Sequence, residues 1–189
     1  PWIADIDVAF IGGGVVLPRI GTLALSVTSM NYGRTGVTTL EMQEGTGETY
    51  QAVEYAACFS YSRKLAQWFA FGASGKYIAS NIWHMKATAA AVDLGVLVNT
   101  HFLSPNGERE NGMCIGMSIS NYGTRMRYDG MDLLRPIDIL PEYNGNYKDV
   151  EGQFRLQQWE LPLVLRLGVA IFPLVTSVQR LTVAVDALH

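Results

Sequence analysis

The chain has 189 residues, with 17 acidic against 14 basic side chains, a net charge of −3, and 16% charged residues against a usual ~25%. That length suits one domain, the acidic balance excludes an electrostatic nucleic-acid binder, and the sparse charge excludes a disordered chain. Two cysteines are too few for a disulfide scaffold or a four-ligand zinc site.

Taken in chain order, period-two alternation predicts about eight strands, over roughly 3–17, 21–32, 51–64, 68–83, 87–99, 112–122, 156–172 and 179–188. Each is long enough to cross a bilayer as a tilted strand of ~9–11 residues. The first carries Gly12-Gly13-Gly14. No helix pattern or Lys-Ser/Thr follows, so the triplet reads as a bulge or kink, not a phosphate cradle. The second ends in Asn31-Tyr32-Gly33, echoed by Asn121-Tyr122-Gly123 at the end of the sixth; Asn and Gly tolerate left-handed backbone, and each Tyr is expected at a membrane rim. In the third, Val53, Tyr55, Ala57, Phe59 and Tyr61 share one face, and Glu54, Ala56, Cys58, Ser60 and Ser62 the other. The fourth sets Phe69, Phe71, Ala73 and Tyr77 against Ala70, Gly72, Ser74 and Lys76. The seventh sets Trp159, Leu161, Leu163, Leu165, Leu167 and Val169 against Glu160, Pro162, Val164, Arg166 and Gly168; the eighth sets Leu181, Val183 and Val185 against Thr182, Ala184 and Asp186. No stretch reaches the ~18–20 apolar residues of a spanning helix; the nearest, Leu161 to Val175, is broken by Pro162, Arg166 and Pro173.

Charge placement separates the fold classes that alternate. Asp5, Asp7, Glu54, Lys76, Asp93, Glu160, Arg166 and Asp186 all fall on the small-residue face of their predicted strands. Exclusion of charge from a lipid-facing surface accounts for this directly. A soluble sandwich would instead show water a face rich in Lys, Glu and Thr, whereas this one is mostly Ala, Gly and Ser. A soluble eight-stranded binding barrel of lipocalin type shares the strand count and predicts a protein soluble without detergent. The expected fold is all-β, an antiparallel transmembrane β-barrel. Glu54, Lys76, Asp93, Glu160, Arg166 and Asp186 would form a lumenal charge network, with a polar pore lining as the functional alternative. The links at Leu17–Gly21, Leu65–Gln67 and Pro173–Val178 are short; those at Gly33–Tyr50 and Gly123–Arg155 are long and expected together on the outer side.

Little in the chain points to catalysis. His84, His101 and His189 lie in separate segments without ligand spacing. Cys58 and Cys114 face inward on the third and sixth strands, about 14 Å apart, too far for a disulfide. Asp129-Gly-Met-Asp132 reads as a capped turn, since no continuous calcium loop follows. No Ser-His-Asp or Cys-His arrangement emerges, so no enzyme, metal or cofactor is expected. The candidate partner-binding residues are Arg125, Arg127, Asp129, Asp132 and Arg135, which mix charge with Met and Leu in the longest loop.

The chain opens on Pro1-Trp2, with Asp5 and Asp7 where a signal peptide would be basic, so a processed chain or an internal fragment is expected. Several stretches, in order along the chain, resemble the PorV/PorQ family of outer-membrane proteins, whose barrels are similar to those of the FadL transporters. They are Trp2-Ile-Ala-Asp-Ile6, Gly21-Thr-Leu-Ala-Leu-Ser-Val-Thr-Ser29, Glu44-Gly-Thr-Gly-Glu-Thr49, Lys76-Tyr-Ile78 with Ile82-Trp-His84, and Gly116-Met-Ser-Ile-Ser-Asn-Tyr-Gly-Thr124. Asp129-Gly-Met-Asp-Leu-Leu134, Trp159-Glu-Leu-Pro162 and Arg180-Leu-Thr-Val-Ala-Val-Asp-Ala-Leu-His189 complete the set. The resemblance implies a bacterial outer-membrane location and a larger FadL-like barrel of which these residues are one segment, without its N-terminal signal and plug or its last strands. It further implies an accessory role in type IX protein secretion, binding translocon components or cargo signal domains through extracellular loops. The alternative it carries is a FadL-like channel for hydrophobic small molecules.

Overall fold

The structure is a computed structural model that describes residues 6–142 and 149–189. The predicted alternation folds into an antiparallel meander in which β1 (Asp7–Leu17), β2 (Gly21–Gly36), β3 (Thr49–Ala66), β4 (Phe69–Ile82), β5 (Met85–Asn99) and β6 (Cys114–Gly123) each pair with the next. The two-residue β7 (Asp129–Gly130) adds to the start of β5, and β8 (Leu134–Ile137) with β9 (Val150–Gln153) makes a separate hairpin. The chain then returns through β10 (Val164–Val175), which pairs with β6, and closes with β11 (Arg180–Leu188). The main sheet has nine strands and stays open, with β1 and β11 as its edges.

Paired residues in an antiparallel sheet share a face, so the register assigns both surfaces. One continuous row reads Thr22, Ser62, Gly72, Gly95, Ser118 and Arg166, from β2 to β10. Its neighbour on the opposite face reads Leu23, Tyr61, Ala73, Leu94, Ile119 and Leu165. We call the small-residue face inner and the other outer. Glu54, Lys76, Asp93, Arg166 and Asp186 are all inner.

Four expectations need correction. Gly12-Gly13-Gly14 makes no bulge; β1 runs in unbroken register past Ser26, Leu25 and Ala24 of β2. A Cβ at Gly12 would press on the Phe10 ring, so the glycine gives that aromatic room to lie over the strand. Asp7 sits on the outer face opposite Asn31, because β1 presents Val8, Phe10 and Val16 inward; Asp5 lies outside the described residues. The strand expected over 156–172 begins only at Val164, since Pro162 has no N–H for a ladder and Trp159 instead forms an isolated bridge with Met126. Glu160 therefore precedes the strand. Finally, Asn31-Tyr32-Gly33 lies within β2, which runs on to Gly36 across a register shift between Asn31 and Arg34, whereas Asn121-Tyr122-Gly123 closes β6 as expected, after a shift where β5 passes from Val92 to Leu94.

Both long connections emerge at one end of the sheet, together with the tight Trp83-His84 turn; the turns at 18–20, 67–68 and 176–179 and the 100–113 connection lie at the other. The buried cluster is on the inner face beneath the longest connection. It consists of Ala87, Ala89 and Met126, with Ile78, Tyr128 and Leu161 packed against it.

Candidate functional site

The longest connection, described over 124–142 and 149–163, packs Met126, Tyr128 and Leu161 over the inner face, where Met126 is 5% exposed. Reciprocal backbone bonds of 2.8 and 3.0 Å join Met126 to Trp159, and the Tyr128 and Trp159 rings lie 5.3 Å apart. Tyr128 Oη reaches Ser80 Oγ at 2.7 Å, and that hydroxyl donates to Glu54 Oε1 at 3.1 Å. Tyr32 Oη donates to the other Glu54 oxygen at 3.0 Å, so this Tyr turns inward, whereas Tyr122 lies on the outer face opposite Val92. Glu54 is thus satisfied by hydroxyls in place of a cation.

The structure brings the expected charge network together only in part. Lys76 Nζ lies 2.6 Å from Asp93 Oδ2 and donates to Asn121 Oδ1 at 3.0 Å. Asn121 holds a left-handed φ of 64°, and its backbone N–H donates to Asp93 Oδ1 at 2.8 Å. Glu160 instead meets Arg125 at the surface, through Nε at 3.0 Å and Nη2 at 2.6 Å. Among the described residues Arg166 and Asp186 make no ion pair. They line, with Asp93, one inner-face hollow of about 550 Å³ floored by Gly72, Gly95, Gly116 and Gly168. The Asp186 carboxylate fills the space a Cβ at Gly168 would need.

The loop residues divide as well. Asp132 Oδ1 lies 2.9 Å from His84 Nδ1, which ties the connection to the Trp83-His84 turn. Asp129 accepts from Gln153 at 2.5 Å, and its backbone pairs with Lys86. The two aspartates diverge, and Gly130 precedes the short 3-10 turn over Met131–Leu133 without a side-chain cap, so the expected capped turn is absent. Arg127 lines a small crevice with Phe154 and Arg155, and Arg135 lies in β8 opposite Gly152. Exposed Met131, Ile139, Leu140 and Phe154 stand on the same connection. Among the described residues no three His, Cys, Asp or Glu side chains are arranged to hold a metal ion.

Sequence reasoning missed Ser80, Tyr128 and Asn121 as partners of the inner charges. Only Asn121 left a signal, in its repeated Asn-Tyr-Gly setting. Comparison of the chain with protein families, with curated proteins and with solved structures finds no match.

Proposed function

We propose that these residues form part of an outer-membrane β-barrel of the PorV/PorQ type, which binds protein partners or cargo signal domains through the connections gathered at one end. The membrane reading is supported by the outer face. Phe59, Leu94, Leu165, Leu167 and Val185 are exposed there with no protein to cover them, and the outer-face charges stay near strand ends: Asp7 opens β1, Arg34 is near the end of β2, Lys86 is second in β5, and Arg63 is near the end of β3. Tyr55 and Tyr77 lie on the outer face on the long-connection side of Phe59, and Tyr61 and Phe71 on its short-turn side. Tyr55 and Tyr61 are separated by about 20 Å along β3, in keeping with the two aromatic girdles of such barrels.

The observation that carries the binding role is the folded 124–163 connection. It is tied down by the Met126–Trp159 bridge and the His84–Asp132 contact, yet leaves Met131, Ile139, Leu140 and Phe154 in the open, the last beside Arg127. Exposed apolar side chains on a long connection suit a protein partner better than water. The test replaces 134–156 by a short turn in the full-length protein and measures export of cargo. Lost export with a normal heat-modifiable folded band is expected; wild-type export by the variant would overturn the reading.

A second reading rests on the inner hollow, whose glycine floor and Leu97 leave room for an apolar molecule. Liposome uptake of a long-chain fatty acid by the full-length protein above an unrelated barrel would favour this channel.

A further inference from the structure

The inner face is covered over one part of its length and open over the next. Along β4 and β5 the rows Ser80–Ala87, Ile78–Ala89 and Lys76–Ala91 lie towards the long-connection end, and Ser74–Asp93 and Gly72–Gly95 follow towards the short turns. Ser80, Ala87, Ala89 and Ala91 are no more than 4% exposed. The two rows that follow line the open hollow of about 550 Å³. Side-chain size does not account for the change, since the glycines are partly exposed and the alanines are buried.

Two limbs of the longest connection do the covering, 124–128 leaving β6 and 159–163 returning to β10. Each is fixed at its base. The Thr124 N–H donates to the Ala90 carbonyl at 2.9 Å, and its Oγ1 accepts from the Ala90 N–H at 3.1 Å. The Asn121 side-chain amide donates to the Pro162 carbonyl at 3.0 Å. Gly123 lies so close to Ala90 and Ala91 that a Cβ would collide with both, so the outgoing limb starts in direct contact with β5. The Met126–Trp159 bridge joins the limbs, and Met126, Tyr128 and Leu161 rest together with Ile78, Ala87 and Ala89. Alanines at alternate positions give the limbs a shallow bed, and longer inner side chains there would lift them. Tyr128 Oη meets the Ser80 hydroxyl, which donates to Glu54, so a chain of hydroxyls ties the outgoing limb to β4 and β3. Ser80 is 3% exposed, and unmaking that link leaves a buried hydroxyl short of a partner.

We propose that the two limbs form a latched cover that shuts the hollow off from the long-connection end, with the Tyr128–Ser80–Glu54 chain as its latch. The proposal rests on the membrane-barrel reading above, under which that end faces out of the cell. One connection then has two roles: its limbs close the barrel from within, and the exposed apolar residues between them meet partners.

The test applies a membrane-impermeant maleimide to intact cells making the full-length protein with its cysteines, Cys58 and Cys114 among them, replaced by serine. Gly95→Cys reports on the hollow, where a Cβ makes only ordinary contacts, and Met131→Cys, at a position 67% exposed, reports on the outer surface. Met131→Cys should label quickly in every background. Gly95→Cys should label slowly with the cover intact, and about tenfold faster with Ser80→Ala, which unmakes the latch, or with Ala89→Leu, which raises the bed. Replacing 134–156 by a short turn keeps both limbs and should leave Gly95→Cys slow. Labelling of Gly95→Cys as fast as Met131→Cys with the cover intact would overturn the proposal. So would unchanged labelling in Ser80→Ala and Ala89→Leu proteins that keep their heat-modifiable folded band. Failure of the barrel reading shows separately, as protein recovered away from membranes or as Met131→Cys that never labels.

Discussion

Lys76 and Asp93 meet at 2.6 Å although neither stands opposite the other: Lys76 pairs with Ala91, and Asp93 with Ser74. The diagonal contact is completed by Asn121, whose side-chain oxygen accepts a hydrogen bond from Lys76 and whose backbone N–H donates to the carboxylate. The two side chains are 23% and 22% exposed, so water only partly screens them. Removing one partner strands the other on the inner face. Lys76→Met should cost about 1–3 kcal/mol, with a coupling of about 1 kcal/mol to Asp93→Asn in a double-mutant cycle. Urea unfolding of the folded protein measures both, and strict additivity would count against the pair.

Arg125 and Glu160 give the opposite expectation. Their side chains are 62% and 71% exposed, and the short contact between them is bathed in solvent. Arg125→Ala should change stability by less than about 0.5 kcal/mol. The same unfolding assay checks it.

Leu165 and Ala184 test which face meets lipid. Leu165 pairs with Ile119 on the outer face and Ala184 with Ala170 on the inner. With lipid on the outer side an arginine costs about 2–4 kcal/mol at mid-membrane depth and less towards a rim. Leu165→Arg, at the second residue of β10, falls below that range but still costs more than Ala184→Arg, because water and Asp186 are within reach of the inner face. Heat-modifiable gel migration reads the folded fraction. Equal losses, or the reverse order, would refute the assignment.

Gly21 and Gly13 separate a required glycine from an optional one. Gly21→Ala meets Ser62 and Tyr61 at a left-handed φ, and should destabilise by about 1–3 kcal/mol. Gly13→Ala faces open space within β1 and should be neutral or slightly stabilising. A thermal shift measured on both variants distinguishes them.

Strand pairing was legible because alternation fixes which neighbours share a face. The small and large sets read from β3 and β4 are the sets that the Ser60–Ser74 and Tyr61–Ala73 pairs bring together. Asp7 was misplaced because β1 carries apolar residues on both faces, so parity there has no contrast to read. Tyr32 was misplaced because its Asn-Tyr-Gly motif was read as a rim turn, whereas the alternation from Thr22 through Met30 already carries Tyr32 to the inner face. The inner partners of Glu54 were invisible for another reason. Tyr128 arrives from 48 residues beyond Ser80, over a connection whose path depends on tertiary packing rather than on any local period.

The Met126–Trp159 bridge has a consequence for assembly order. Forty residues separate β6 from β10 (164 − 123 − 1 = 40), and bringing such distant strands together is the slow, entropically costly event in a sheet otherwise joined by close neighbours. The bridge draws the two ends of that span together before the strands themselves must meet, leaving only a few residues of slack on either side. It therefore works as a register pin: with Met126 and Trp159 clasped, Arg166 can reach Ser118 but a neighbouring alignment is strained. A slip of one position would turn Arg166 to the outer face and Leu165 inward. Loosening the clasp with Trp159→Ala should slow folding into detergent or lipid more than it lowers the final stability, a kinetic signature that stopped-flow Trp fluorescence can follow through Trp68 and Trp83.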